Sequence, residues 1–175
     1  MFYILITVIS GIAFLLQTAV LPQVAVFHVA LNLIVLTAIF WLIFLDQNFA
    51  VTFSIIMGFL LDIVSGGMFG AYALSLVLVV ITVKRIIDLY FQKENLLSTI
   101  FLQVLGVIFF DIFYAAINVV AGKFGIGHAT FTIRSFLVQI VPISALWAGV
   151  SSLLLFRFFK KLGSVVEYFQ SRARS

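Results

Sequence analysis

Hydrophobic residues run almost without interruption along this chain, and the few charged positions fall mostly between the runs. No Asp, Glu, Lys or Arg occurs from Met1 through Leu45, and long uncharged stretches recur as far as Phe156. The runs do not alternate apolar and polar residues, as the strands of a transmembrane barrel must. Helices are then the only way to cross a bilayer with every backbone group bonded. Six helical segments are predicted, over residues 2–20, 30–45, 49–64, 71–87, 96–121 and 135–156. The first stops at Pro22, and Asn32 lies near the start of the second. A span needs about 20 residues, so six fill most of the chain and leave short connections with no separate soluble domain. The expected fold is an all-α polytopic bundle of about six spans.

Composition agrees with this reading. The chain of 175 residues is 65% hydrophobic and 9% charged, with a mean hydropathy of +1.32. Soluble domains carry about 25% charged residues, so this chain cannot cover a water-facing surface. Cysteine is absent, which removes disulfides, thiolate catalysis and Cys-based metal sites. The first segment lacks a basic leader and an A-x-A-like cleavage site, and is expected to be retained.

The basic residues orient the bundle. Lys84, Arg85 and Lys93 lie between segments four and five, and Arg157, Lys160, Lys161, Arg172 and Arg174 follow segment six. Only Lys123 and Arg134 fall on the opposite side. By the positive-inside rule, six spans place both termini in the cytoplasm, with residues 157–175 forming a basic cytoplasmic tail. The second segment is short; were it re-entrant, the N-terminus would lie outside. Residues 84–93 and 158–169 mix apolar and basic positions as an interfacial helix would, but a simple positive-inside anchor that fixes topology is the preferred reading of both.

Within so apolar a chain, two carboxylates stand out. An ionisable side chain at mid-helix costs about 2.5–3.5 kcal/mol on insertion scales, so Asp62 and Asp111 need a compensating partner or role. From the inner ends of their segments both lie about 20 Å along, in the outer half of the bilayer. Asn32, Asn118, His128, Arg134 and Gln139 also fall on or near the outer side. Three uses of the aspartates stay open: lining an outward-facing ligand cavity, contacting a partner protein, or bonding internally. Asp62 adjoins a glycine-rich turn that would present it to the outer surface. Asp111 is flanked by Phe109, Phe110, Ile112 and Phe113 and is expected to be the more enclosed, neutral or internally bonded. Arg134 could pair with either aspartate or snorkel to headgroups.

Other features carry packing information. Ser144, Ala145, Ala148, Gly149, Ser151 and Ser152 give small-residue spacings on segment six, and Gly66 and Gly70 give another at the end of segment three. Such spacings permit close helix approach, inside the bundle or against another protein, and Gly58, Gly66, Gly70, Ala145 and Gly149 are the expected packing positions. His128 has no companion at ligand spacing, so no metal site is read. The stretch 122–127 has glycines and a lysine but no preceding strand and no GK[ST], and is read as an outer turn, not a phosphate loop. With no nucleophile–base pair, cofactor motif or nucleic-acid signature, the chain is not expected to be an enzyme.

One stretch has a familiar form. Gly58, Asp62, Gly66, Gly70, Tyr72, Ala73 and Leu74 follow a helix-ending Gly-x-x-x-Asp, a small-residue turn and Gly-x-Tyr-Ala-Leu. This resembles the rod shape-determining MreD family of small bacterial inner-membrane proteins. Asn32 in Ala30-Leu31-Asn32-Leu33 stands where that family often has Pro-Asp-Leu, a degraded match. The resemblance implies a non-enzymatic role beside a single-span MreC-like partner, and through it the MreB cytoskeleton and the peptidoglycan synthases. The family is also similar in architecture to the six-helix substrate-binding components of energy-coupling-factor transporters, which supplies an alternative: a membrane component that binds a vitamin or other small molecule.

The topology is directly testable because the chain has no native cysteine. A cysteine at Lys93 or Ser171 should be shielded from an impermeant reagent in intact cells, and one at Gly125 labelled. Labelling at Ser171 would refute cytoplasmic termini.

Overall fold

A computed structural model describes residues 2–24, 32–90, 96–124 and 141–152. Among them are six α-helices and no strand: α1 (Phe2–Leu15), α2 (Leu33–Phe44), α3 (Gln47–Ser65), α4 (Ala71–Tyr90), α5 (Leu96–Lys123) and α6 (Val141–Ser152). The basic tail, His128, Arg134 and Gln139 lie outside the described residues. Residues 122 and 123, expected in a turn, continue α5 instead.

The short second segment forms the centre of the bundle. Every residue from Ile34 to Leu42 is buried. A helix apolar on all sides needs neighbours on all sides, and α2 has them in α1, α3, α4 and α5. Its Ile39, Phe40 and Trp41 join Leu76, Val79, Val80 and Val83 of α4, Val107 and Phe110 of α5, and Leu61 of α3 in one core. At 1.5 Å per residue α2 is only about 18 Å long, well under the roughly 30 Å of a bilayer core. Two other helices, over Gln47–Ser65 and Leu97–Lys123, are long and apolar enough to cross a membrane.

Around this centre the outer helices turn large apolar side chains outward. Ile55, Ile56, Phe59, Leu60, Ile63 and Val64 on α3, Val8 and Ile12 on α1, and Leu146 and Val150 on α6 are all exposed. Water would penalise such continuous apolar faces, whereas lipid does not. At the other extreme, the last turns of α4 carry the exposed ion pair Lys84–Asp88 at 2.6 Å. The α4 helix reaches Tyr90, beyond its expected end, because Ile86 and Ile87 still pack on the core.

Helix entrances are closed by side-chain oxygens. Asp46 caps α3 by accepting the Phe49 N–H at 2.7 Å. Asn32 caps α2 by accepting from Val35 N–H at 3.4 Å, and Gln17 reaches across from the end of α1 to accept the Leu33 N–H at 2.7 Å. Gln17 sits in a π turn, Leu16–Val20, that widens the helix and changes its phase. The Thr18 hydroxyl donates to the Phe14 carbonyl at 2.9 Å, so this acceptor keeps a donor within the widened turn.

Two glycines allow the closest helix contacts. A Cβ on Gly58 would lie 2.3 Å from the Ala73 Cα, so α3 and α4 touch backbone to backbone there. A Cβ on Gly106 would lie 2.1 Å from Ile39 Cδ1, the flexible end of a central side chain. Gly106→Ala should therefore destabilise the bundle by about 1–3 kcal/mol through overpacking. Ile39→Val, which removes that Cδ1, should restore much of the loss. The measurement is thermal unfolding in detergent, and absence of rescue would place the strain elsewhere.

Candidate functional site

Asp62 lies at the α3–α4 hairpin, and Asp111 lies on α5 where it meets α6. The hairpin turn begins where Gly66 ends α3 with φ +63° and finishes at Gly70 with φ +91°, both in the left-handed region that glycine enters without strain. Nothing lies within 4 Å of a Cβ built on either. Among the described residues Gly66 and Gly70 therefore shape the turn and make no close contact with a neighbouring helix, while the tight α3–α4 contact lies at Gly58.

Closure at Gly58 brings the start of α4 down beside Asp62, one turn further along α3. Asp62 Oδ1 accepts the Tyr72 N–H at 2.9 Å and Oδ2 accepts the Ala73 N–H at 3.3 Å. The Ala71 N–H goes to the Met68 carbonyl at 3.2 Å, and the Leu74 N–H to the Gly70 carbonyl at 2.9 Å. The Ala71, Tyr72 and Ala73 N–H groups, which precede the first intrahelical bond from Leu74 and which α4 cannot satisfy itself, thus all have partners. A carboxylate at this end also meets the positive pole of the helix. Asp62 is only 3% exposed.

Asp111 has a different setting. It is half-buried on α5, and Ser144 of α6 donates a hydrogen bond to its Oδ2. The Ser144 hydroxyl also lies 2.9 Å from the Val141 carbonyl. Further along the same interface, Ser152 donates to Oε1 of Gln103, a fully buried residue. The same number of residues separates the paired positions on each helix, so α5 and α6 run antiparallel in matched register. Between the pairs lies Gly149, where an added Cβ would make ordinary contact with Val104 at 3.7 Å. Ala148, Ser151 and Ser152 are buried in this interface, while Ala145 is only half-buried.

The order of enclosure is the reverse of the sequence expectation. Asp62 is the buried carboxylate and Asp111 the more accessible one, because the glycine contact folds α4 over Asp62. Neighbouring apolar residues in sequence said little about burial: Ile112 beside Asp111 is itself exposed. The two aspartates flank an aromatic cluster in which the Tyr72 ring lies 4.6 Å from Tyr114 and 5.8 Å from Phe110. Asn118 donates to the Tyr114 carbonyl of its own helix at 2.8 Å, and Asn32 is a cap.

Sequence reading did not single out Gln103, Gln17, Tyr72 or Tyr114 as site residues. Gln103 carried a usable signal: an uncharged amide in a long apolar helix, facing a helix rich in serine.

The family model for the rod shape-determining protein MreD matches residues 1–163. The chain belongs to the MreD family. Membership makes it a membrane protein with a role in rod shape determination, and the motif of Gly58, Asp62, Gly66 and Gly70 in this MreD-family chain is the hairpin just described. Neither a curated protein nor a solved structure matches the chain.

The α5–α6 pairing gives a graded prediction. Asp111→Asn keeps an acceptor for Ser144 and should be mild. Asp111→Leu should lower stability by about 0.6 kcal/mol, the usual scale for hydrogen bonds between membrane helices. Combined with Ser144→Ala, the loss should be less than additive in a double-mutant cycle of unfolding in detergent. Full additivity would show that the pair is not coupled.

Proposed function

We propose that this protein is a non-enzymatic scaffold of the cell-elongation machinery. It would lie in the bacterial cytoplasmic membrane and hold an MreC-like single-span partner, coupling through it to the MreB cytoskeleton and the peptidoglycan synthases. The family match is the observation that carries this reading. The chemistry of the described residues supports it. Asp62, Asp111, Asn32 and Asn118 are each engaged in a hydrogen bond within the bundle, and such groups build a fixed shape more readily than a reaction centre.

The same proposal takes the bundle as six spans with both termini cytoplasmic and α2 as a short central crossing. Its architecture then resembles the substrate-binding components of energy-coupling-factor transporters, with the outer end of the bundle serving a protein instead of a vitamin. Partner capture would use the bilayer-facing surfaces and the outer turn, with no nucleic acid, metal or cofactor.

The test is mild detergent extraction from the native host, followed by identification of co-purifying proteins, together with depletion in growing cells. The expected outcome is a stoichiometric bitopic partner and rounding of the cells on depletion. Recovery of a solitary folded protein from cells that keep their shape would overturn the scaffold. Recovery with an ATPase module and a bound small molecule would move it to the transporter class.

A further inference from the structure

We infer that Asp62 is the displaced N-cap of α4, a positioning residue whose carboxylate is read by the protein's own backbone and sets the outer turn. The usual capping residue stands immediately before the helix, with extended backbone, and accepts from the second and third N–H groups. In α4 that position is Gly70, whose carbonyl already accepts the first intrahelical bond from Leu74. Its φ of +91° is closed to an ordinary capping Ser, Thr or Asp, so the tight turn and a local cap exclude one another. The Tyr72 and Ala73 N–H groups, the very pair a local cap would take, are bound by Asp62 from the neighbouring helix.

Three residues therefore act as one device. Gly70 makes the turn and forfeits the cap; Asp62 supplies it; Gly58 lets the two helices come close enough for Asp62 to reach. The result fixes the register of α3 on α4 and the geometry of the turn between them. Ser65 adds to it locally, its hydroxyl accepting from Gly67 N–H at 3.4 Å. The turn's Phe69 folds back to stack on Phe59 of α3, ring centres 5.4 Å apart, although both rings are exposed. This pair reports the turn geometry without belonging to the cap.

The device predicts a pattern that direct recognition of Asp62 by a partner does not. Asparagine keeps one acceptor oxygen and loses the charge, so Asp62→Asn should fall between wild type and Asp62→Leu. Gly58→Ala, which leaves the carboxylate intact, should reproduce Asp62→Leu. The double variant Gly58→Ala/Asp62→Leu should be no worse than either alone, since all three break one contact.

The test uses the full-length chain in membranes, with Phe59→Cys and Phe69→Cys introduced into its cysteine-free background and joined by a short bifunctional maleimide. Cross-link yield, normalised to protein abundance, should fall about fivefold in Asp62→Leu and in Gly58→Ala, the scale of a lost cap, and by less in Asp62→Asn. Unchanged yield in Asp62→Leu would overturn the inference. So would Asp62→Asn being as damaging to cell shape as Asp62→Leu with the yield intact, which would mean a partner reads the charge. Because Asp62→Asn is isosteric, it decides the matter even if the leucine variant fails to accumulate. Only the cell-shape comparison rests on the scaffold reading: a falling yield with normal cell shape would leave the cap standing and remove the scaffold.

Discussion

A helix leaves its first four N–H groups without partners, and in a bilayer no water is present to take them. Each unsatisfied group in that medium costs several kcal/mol, so where a helix begins is decided by which acceptor can be brought to it. This constraint organises the molecule. Asn32 and Gln17 close α2, Asp46 closes α3, and Asp62 closes α4. In two of these cases the acceptor comes from another helix, so satisfying a backbone group also docks two helices against each other. Secondary and tertiary structure are here enforced by the same bonds.

The need for acceptors explains why this chain keeps polar residues that hydrophobicity alone would remove. Helices in lipid gain nothing from burying apolar surface against one another and rely on close contact and hydrogen bonds instead. Gly58 and Gly106 provide the close contact, against Ala73 and Ile39 respectively. Asp62, Asp111–Ser144 and Gln103–Ser152 provide the hydrogen bonds between α3 and α4 and between α5 and α6. The hydroxyls of Thr37, Ser54, Ser75 and Thr82 bond back to carbonyls one turn earlier and link nothing further. Position, not residue type, separates the polar groups that hold helices together from those that are merely tolerated.

For a protein of the MreD family this gives the motif a physical content. The Gly58–Leu74 stretch is a hairpin whose parts compensate one another: a left-handed glycine that prevents a local cap, and a remote carboxylate that replaces it. The aromatic cluster of Tyr72, Phe110 and Tyr114 carries that geometry onto α5, whose Asp111 joins α6 one turn from Tyr114. Four helices are thus connected at one end of the bundle.

The sequence by itself determined that the chain is helical and belongs in a membrane, because uncharged runs of that length admit no other way to bond their backbone. It also located the turn at Gly66–Gly70 and marked Asp62 and Asp111 as groups requiring a partner, since hydropathy and backbone freedom are properties of single residues and their neighbours. What it left undecided were relations between segments. The central place of α2, the burial of Asp62 and the relative exposure of Asp111 depend on which helix lies against which, as does the choice of Gly58 over Gly66 for close contact. Gln103 and Gln17 look like isolated amides until Ser152 and the Leu33 N–H are brought to them. Capping and interhelical bonding are short-ranged in space and unrestricted in sequence, so only the tertiary structure could assign them.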